Sequence, residues 1–214
     1  MSTYGVHFAM TKRTMPMHNP TATRTRLILV RHGESEGNRD RRFTQSPEVP
    51  ITAVGREQAR VAGALIARHF RPARVVASPY TRARQTAEII AAGGALEVEI
   101  EAALREQSFG ALAGQPYEAL LTDASYHEGP RWQWRPPGGE SLTDVYARVV
   151  PAFERLAREG LGRDVVLVSH GGVMLALCAF VTGSWDGLSV TPNAGVVVVE
   201  HGDRGYGPPI VLDA

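Results

Sequence analysis

Three short apolar runs in this chain lead directly into reactive side chains. Leu27 to Val30 is followed by Arg31, His32, Gly33 and Glu34, and Val165 to Val168 by Ser169, His170 and Gly171. Val75 to Ala77 leads through Ser78 and Pro79 to Arg82, while Glu106 stands in the segment Leu104 to Gln107. An unprotonated imidazole nitrogen attacks phosphorus, and the covalent intermediate splits one hard displacement into two easier ones. A guanidinium fork matches the oxygens of a phosphoryl group and stabilises the charge they gather in the transition state. These residue types therefore describe phosphoryl transfer through a phosphohistidine. His32 is the candidate nucleophile, and Arg31, Arg82 and His170 are the candidate phosphate clamp, with Asn38 as a neutral donor. Positive charge from the arginines, and from His170 when protonated, lowers the pKa of His32 and keeps it a free base. Glu106 is the candidate acid, giving a proton to the leaving oxygen and then taking one from the attacking water, while Glu34 has no such clear role.

For these residues to meet, the elements carrying them must end at one edge. Leu27 to Val30, Val75 to Ala77, Val165 to Val168 and Val196 to Glu200 read as short, unalternating strands, the signature of a sheet buried on both faces. Between them lie helical patterns: about Thr52 to His69, with Thr52 as N-cap; Thr81 to Ala92, ended by Gly93 and Gly94; a long helix capped by Ser141 and supported by Asp144; and an apolar helix ending near Thr182 and Gly183. This order predicts an α/β three-layer sandwich with a largely parallel central sheet. In such sheets the ligand crevice lies beyond the carboxyl ends of the strands, where His32, Arg82 and His170 fall. The polar stretch from Gly114 to Gly139, rich in Pro, Gly and Trp, reads as a cover over the site.

The stretch Arg31 to Asn38 (RHGESEGN) resembles the nucleophile signature of the histidine phosphatase superfamily, which includes cofactor-dependent phosphoglycerate mutases and many small phosphatases. Ser78 to Ala87 (SPYTRARQTA), Leu104 to Gly114 (LREQSFGALAG) and Ser169 to Gly171 (SHG) resemble its second arginine, acid and second histidine motifs, in the family's order. The resemblance runs from Arg26 onward and implies a phosphoglycerate mutase-like fold. It also favours Arg82 over its neighbour Arg84. The activity it implies is a phosphomonoester phosphatase acting on a small phosphorylated metabolite, with a 2,3-bisphosphoglycerate-dependent mutase as the alternative. Phe109 stands where the mutases have tyrosine, no lysine follows Gly114, and Arg131 and Arg135 replace an adjacent arginine pair. Phe109 to Leu112 and Glu140 to Leu142, by contrast, resemble the mutases closely. A third reading is a non-catalytic phosphate-binding regulatory module.

Composition narrows the field further. With 214 residues, 43% of them hydrophobic, the chain can bury one sizeable core. A formal net charge of +1 argues against a nucleic-acid or membrane-surface partner. No run is long and apolar enough to span a membrane. Lys12 is the sole lysine and Cys178 the sole cysteine, which excludes an intramolecular disulfide and fits a cytoplasmic setting. Neither a metal nor a cofactor is expected, because the candidate residues lack a carboxylate cluster and carry arginines that repel cations. Residues 1–24 follow no period and read as a flexible tail, with residues 25–214 as the catalytic domain. Some residues have a plain structural reading: His69 as a helix C-terminal residue, Cys178 as core packing, Glu106 as a partner for Arg105. Trp132 and Trp134 fit either a substrate-facing wall or a pin for the irregular segment, and the Gly93-Gly94 and Gly171-Gly172 pairs lack the spacing of a dinucleotide fingerprint.

Overall fold

In a computed structural model of the chain, residues 24–44 and 46–213 are described. Residues 1–23 of the expected tail lie outside the described residues, and Arg24 pairs with Glu200 at 3.1 Å. The elements run β1 (Thr25–Arg31), a single turn α1 (Glu36–Arg39), α2 (Ala53–His69), β2 (Pro72–Ala77), α3 (Thr81–Ala92), β3 (Val98–Ile100), α4 (Ala119–Thr122), α5 (Leu142–Glu159), β4 (Asp164–Ser169), α6 (Gly171–Thr182), β5 (Val196–Gly202), β6 (Gly205–Tyr206) and β7 (Ile210–Leu212). Short 3₁₀ turns occupy Ala102–Leu104, Gly110–Leu112 and Ala124–His127.

The sheet order is β3-β2-β4-β1-β5-β6, with β7 also pairing β5. Strands β1 to β4 are mutually parallel and β5 to β7 form an antiparallel flank, so the expected largely parallel sheet is found. Strand β4, at the centre, is buried at all six residues. Because side chains alternate along a strand, the continuous apolar runs feed two cores at once. Leu27, Leu29, Val165 and Leu167 meet Val149, Phe153 and Leu156 of α5 and Leu177 of α6 on one face. Ile28, Val30, Val166 and Val168 meet Ala62 and Ile66 of α2 and Ala83 and Ala87 of α3 on the other. Each buried Val, Leu, Ile or Phe among them contributes about 1.5–3 kcal/mol by leaving water, so both helical layers are held firmly.

The helix ends follow the local sequence. Thr52 accepts the Gly55 N–H at 3.0 Å, and Ser141 and Asp144 form a reciprocal capping box on α5. Gly183 closes α6 with φ +73°, a conformation that glycine adopts without a Cβ clash. At the opposite end of the sheet from the site, Arg26 grips Asp164 with bonds of 2.6 and 3.0 Å, locking β1 against β4. Strands β3, β6 and β7 are absent from the sequence reading; they are only two or three residues long, and even the apolar Ile210-Val-Leu212 of β7 is too short to signal a strand by its pattern.

Register delivers the site. Arg31 pairs with Ser169 across β1 and β4, and Ala77 pairs with Val168 across β2 and β4. The next residues along the three strands, His32, Ser78 and His170, therefore emerge side by side. Backbone bonds from His32 N to the Ser169 carbonyl (2.9 Å) and from Ser78 N to the Val168 carbonyl (3.0 Å) carry the ladder one step past the strands.

Candidate active site

His32 is 2% exposed, and its ring Nδ1 lies 2.7 Å from the Gly33 carbonyl oxygen. A carbonyl can only accept, so Nδ1 carries the proton of the neutral ring and the lone pair sits on Nε2. That Nε2 accepts from Arg82 Nε at 3.3 Å. Burial first, and then the charges of Arg82 and Arg31, hold His32 well below the usual histidine range, which leaves it a free base at neutral pH.

The two guanidiniums are fixed by backbone. Arg82 donates to the carbonyls of Ser46 (3.2 Å) and Thr44 (3.4 Å) and lies over the Tyr80 ring, whereas Arg84 is exposed. Arg31 donates to the Thr191 carbonyl at 2.8 Å, and its Nε is buried with no hydrogen-bond partner among the described residues. Burial lowers the pKa of both arginines. Asn38 donates to Tyr117 Oη at 3.1 Å and accepts from Asn193, which also holds the His32 carbonyl. It borders the cavity as a polar wall residue.

His170 is fully buried, with Nε2 2.7 Å from Ser78 Oγ and its ring 5.1 Å from that of His32, edge to face. Its Nδ1 is the second buried nitrogen with no hydrogen-bond partner among the described residues. Burial, and then Arg82, press its pKa well below the usual range, so a protonated His170 is disfavoured by its surroundings unless an anion lies beside it. Buried polar nitrogens without partners are rare in folded proteins, and two beside one nucleophilic nitrogen mark a place built for a polar guest.

Glu106 is 8% exposed, with one carboxylate oxygen 3.8 Å from His170 Nδ1 and the other accepting the Gln107 N–H at 2.9 Å. Burial raises its pKa against the opposing pull of Arg82, which favours the protonated acid. Its structural alternative fails, because Arg105 pairs with Glu140 instead. Glu34 accepts from the Thr52 hydroxyl at 2.7 Å and does not line the cavity, which gives it a structural task in tying the loop after β1 to α2.

His32, Glu106 and His170 bring one ligand atom each within 4.8 Å of one another, the donor types a divalent cation takes. Yet His32 Nε2 is engaged by Arg82, and a cation there would face two guanidiniums. The set suits an anion better.

Several contributors carried no local sequence signal. Arg148 of α5 donates to the carbonyls of Ala103 (2.6 Å) and Glu106 (3.0 Å) and pairs with Glu140, which in turn accepts the Ser108 N–H. This bracket fixes the loop that presents Glu106. Thr191 meets Arg31 from 160 residues away. Ser78 opens the second arginine motif, but nothing in the sequence signals that its hydroxyl would meet His170.

The cavity over these groups has a volume of about 460 Å³ and is bordered by Arg31, His32, Arg82 and Glu106 at its inner end. The segment 114–139 forms its outer wall, as expected of a cover, through Tyr117, Tyr126, Arg131 and Trp134. The two tryptophans divide the two readings: Trp134 faces the cavity, while Trp132 stacks on Trp185 and pins the segment. A groove of about 580 Å³ beside α2, α6 and β7 contains neither histidine nor arginine.

Comparison with known proteins agrees with this geometry. The sequence profile of the family described as "Histidine phosphatase superfamily (branch 1)" matches residues 27–208. A glucosyl-3-phosphoglycerate phosphatase of Mycolicibacterium vanbaalenii is 33% identical over 201 residues, covering 86% of this chain and 88% of that protein. A 2,3-bisphosphoglycerate-dependent phosphoglycerate mutase of Gloeobacter violaceus is 36% identical over 169 residues, covering 71% and 73%. Some longer mycobacterial relatives are matched over only 42% of their own length. Among solved structures, a mycobacterial glucosyl-3-phosphoglycerate phosphatase in complex with VO3 superposes with a TM-score of 0.73 at 30% identity, covering 81% of this chain and 92% of that one.

Proposed function

The chain belongs to the histidine phosphatase superfamily, branch 1, and from that premise we propose that it hydrolyses a small phosphorylated metabolite, with His32 as nucleophile and Glu106 as acid and base. One observation carries the reading. The free-base nitrogen of His32 lies beside Arg82, with the unpartnered buried nitrogens of Arg31 and His170 and the carboxyl of Glu106, whose pKa burial raises, around it.

His32 Nε2 attacks phosphorus, and the bond to the ester oxygen breaks as that oxygen takes the Glu106 proton and leaves as the alcohol. Arg31, Arg82 and His170 hold the three equatorial oxygens as their charge grows, and Asn38 borders them. Water then attacks the phosphohistidine while the Glu106 carboxylate takes its proton. The P–N electron pair returns to His32, and orthophosphate departs.

Sequence likeness to the Gloeobacter mutase and the segments Phe109 to Leu112 and Glu140 to Leu142 favour phosphoglycerate isomerisation as a second reading. In that case the phosphohistidine would return its phosphoryl group to the substrate. Residues 25–214 form the catalytic unit in either case, in a reducing, cytoplasmic setting that suits the single buried Cys178, and without a nucleic-acid partner. No described helix is long and apolar enough to cross a membrane.

A panel of phosphomonoesters, scored for both free phosphate and isomerised product, tests this. Free phosphate is the expected result. Isomerised phosphoglycerate without release would replace hydrolysis by the mutase reading, and neither product would leave the non-catalytic module.

A further inference from the structure

The outer part of the cavity is unlike its inner end. Phe43, Phe109, Tyr117, Leu120, Tyr126 and Trp134 border it. Three of the rings form a packed set, with Phe43 4.8 Å from Phe109 and 4.9 Å from Tyr117 between centroids. A second set joins Tyr126 and Trp134 at 5.2 Å, and Trp134 is fixed by its indole N–H donating to Ser125 Oγ at 2.9 Å. These side chains are only partly buried, so they present open apolar faces continuous with the phosphoryl site. Aromatic surface of this extent on a cavity wall is a place for apolar ligand area to leave water.

The polar inventory points the same way. Glu106 is the only carboxylate bordering the cavity among the described residues, and it lies at the phosphoryl end. Tyr117 Oη already accepts from Asn38, and the Gln107 side-chain N–H₂ is spent on the Glu140 carbonyl. The charged groups of the outer wall are Arg42 and Arg131, whose donors can serve a hydroxyl oxygen at the rim, but the ring faces between them offer neither donor nor acceptor. Hydroxyls laid against those ring faces would be buried without partners, a costly match, whereas apolar ligand area there is not penalised.

We propose that this outer chamber is a leaving-group subsite for an extended apolar alcohol, aromatic or long-chain, in preference to a polyol or sugar. The inference rests on the phosphomonoesterase reading above and specifies its substrate class.

The test is kcat/KM for the wild-type protein on ethyl, butyl, hexyl and octyl phosphate, with glycerol 3-phosphate, glucose 6-phosphate and p-nitrophenyl phosphate alongside. Burying one methylene is worth about three- to fourfold, so the series should climb until the chamber is filled and octyl should exceed ethyl by about 10²-fold or more. Octyl should exceed both polyol esters similarly. Trp134→Ala should compress the octyl-to-ethyl ratio by about tenfold, and Trp134→Phe should restore most of it. A flat series, a preferred polyol ester, or an unchanged ratio in Trp134→Ala overturns the inference while p-nitrophenyl phosphate is still turned over. Loss of turnover on every ester, p-nitrophenyl phosphate included, would instead remove the underlying phosphatase reading.

Discussion

Replacing Glu106 by Gln isolates proton donation from everything else the residue does. Glutamine keeps the volume, and its amide oxygen can still accept the Gln107 N–H that now reaches a carboxylate oxygen at 2.9 Å. Burial already favours the neutral acid, so exchanging it for a neutral amide should leave folding nearly untouched. What disappears is a proton that can be transferred. A positioned general acid speeds the step by about 10²–10⁴-fold, or about 2.7–5.4 kcal/mol of barrier. An alkyl phosphate should suffer that full loss, whereas p-nitrophenolate departs without help and should lose less than about tenfold. Single-turnover quench measurements with enzyme in excess are required, because Glu106 also serves as base in dephosphorylation and would slow all substrates alike in the steady state. Inhibition by orthophosphate should persist. Equal single-turnover losses for the two substrates would refute the assignment. Glu34 would be the next carboxylate to test, although its bond to Thr52 and its place outside the cavity predict near wild-type activity for Glu34→Gln.

Other consequences follow from the same geometry. A Cβ at Gly33 would collide with the Gly55 carbonyl oxygen, so Gly33→Ala should shift the His32 loop, lower the thermal midpoint by several degrees and cut activity by about 10²-fold; unchanged values of both would contradict this close packing. The lowered pKa of His32 places the acid limb of kcat/KM well below pH 6.5, and the raised pKa of Glu106 places the basic limb above the usual carboxylate range; with ionisation of the phosphate ester corrected for, an acid-side loss setting in as pH falls through 6.5 would count against a buried neutral His32. Because His170 also stays unprotonated when folded, the unfolded chain gains a proton below pH 6.5 that the folded chain lacks, and stability falls as pH drops. Urea midpoints should show this slope shallower by about 1.4 kcal/mol per pH unit in His170→Gln, and identical slopes would argue against it. Exhaustive chelation should leave turnover intact, whereas loss restored by a divalent ion would assign His32, Glu106 and His170 to a metal instead.

Much of the layout was legible because the strands that matter are buried on both faces. Continuous apolar runs such as Val165 to Val168 can only be central, and the reactive residues follow them without a gap. The Ser141 and Asp144 cap was equally plain, since its signal is local. Contacts formed by distant residues were not. Nothing near Arg148 says that it will hold the loop bearing Glu106, and nothing near Thr191 says that its carbonyl will face Arg31. Trp132 and Trp134 have the same local character, and only the ring of Trp185, brought close by folding, decides that the first is a pin. Whether His170 carries a proton was not legible for a related reason: it is set by burial and by the arginines that folding brings close, not by neighbours in sequence.

The central claim is that phosphate passes through His32. Wild-type protein mixed briefly with ³²P-labelled substrate and denatured in alkali should retain label that is stable to base and released by acid, and digestion should place it on the peptide containing His32. His32→Ala should remain folded and acquire none. Label on the His32→Ala protein, or wild-type turnover without any trapped phosphohistidine under single-turnover conditions, would contradict the account.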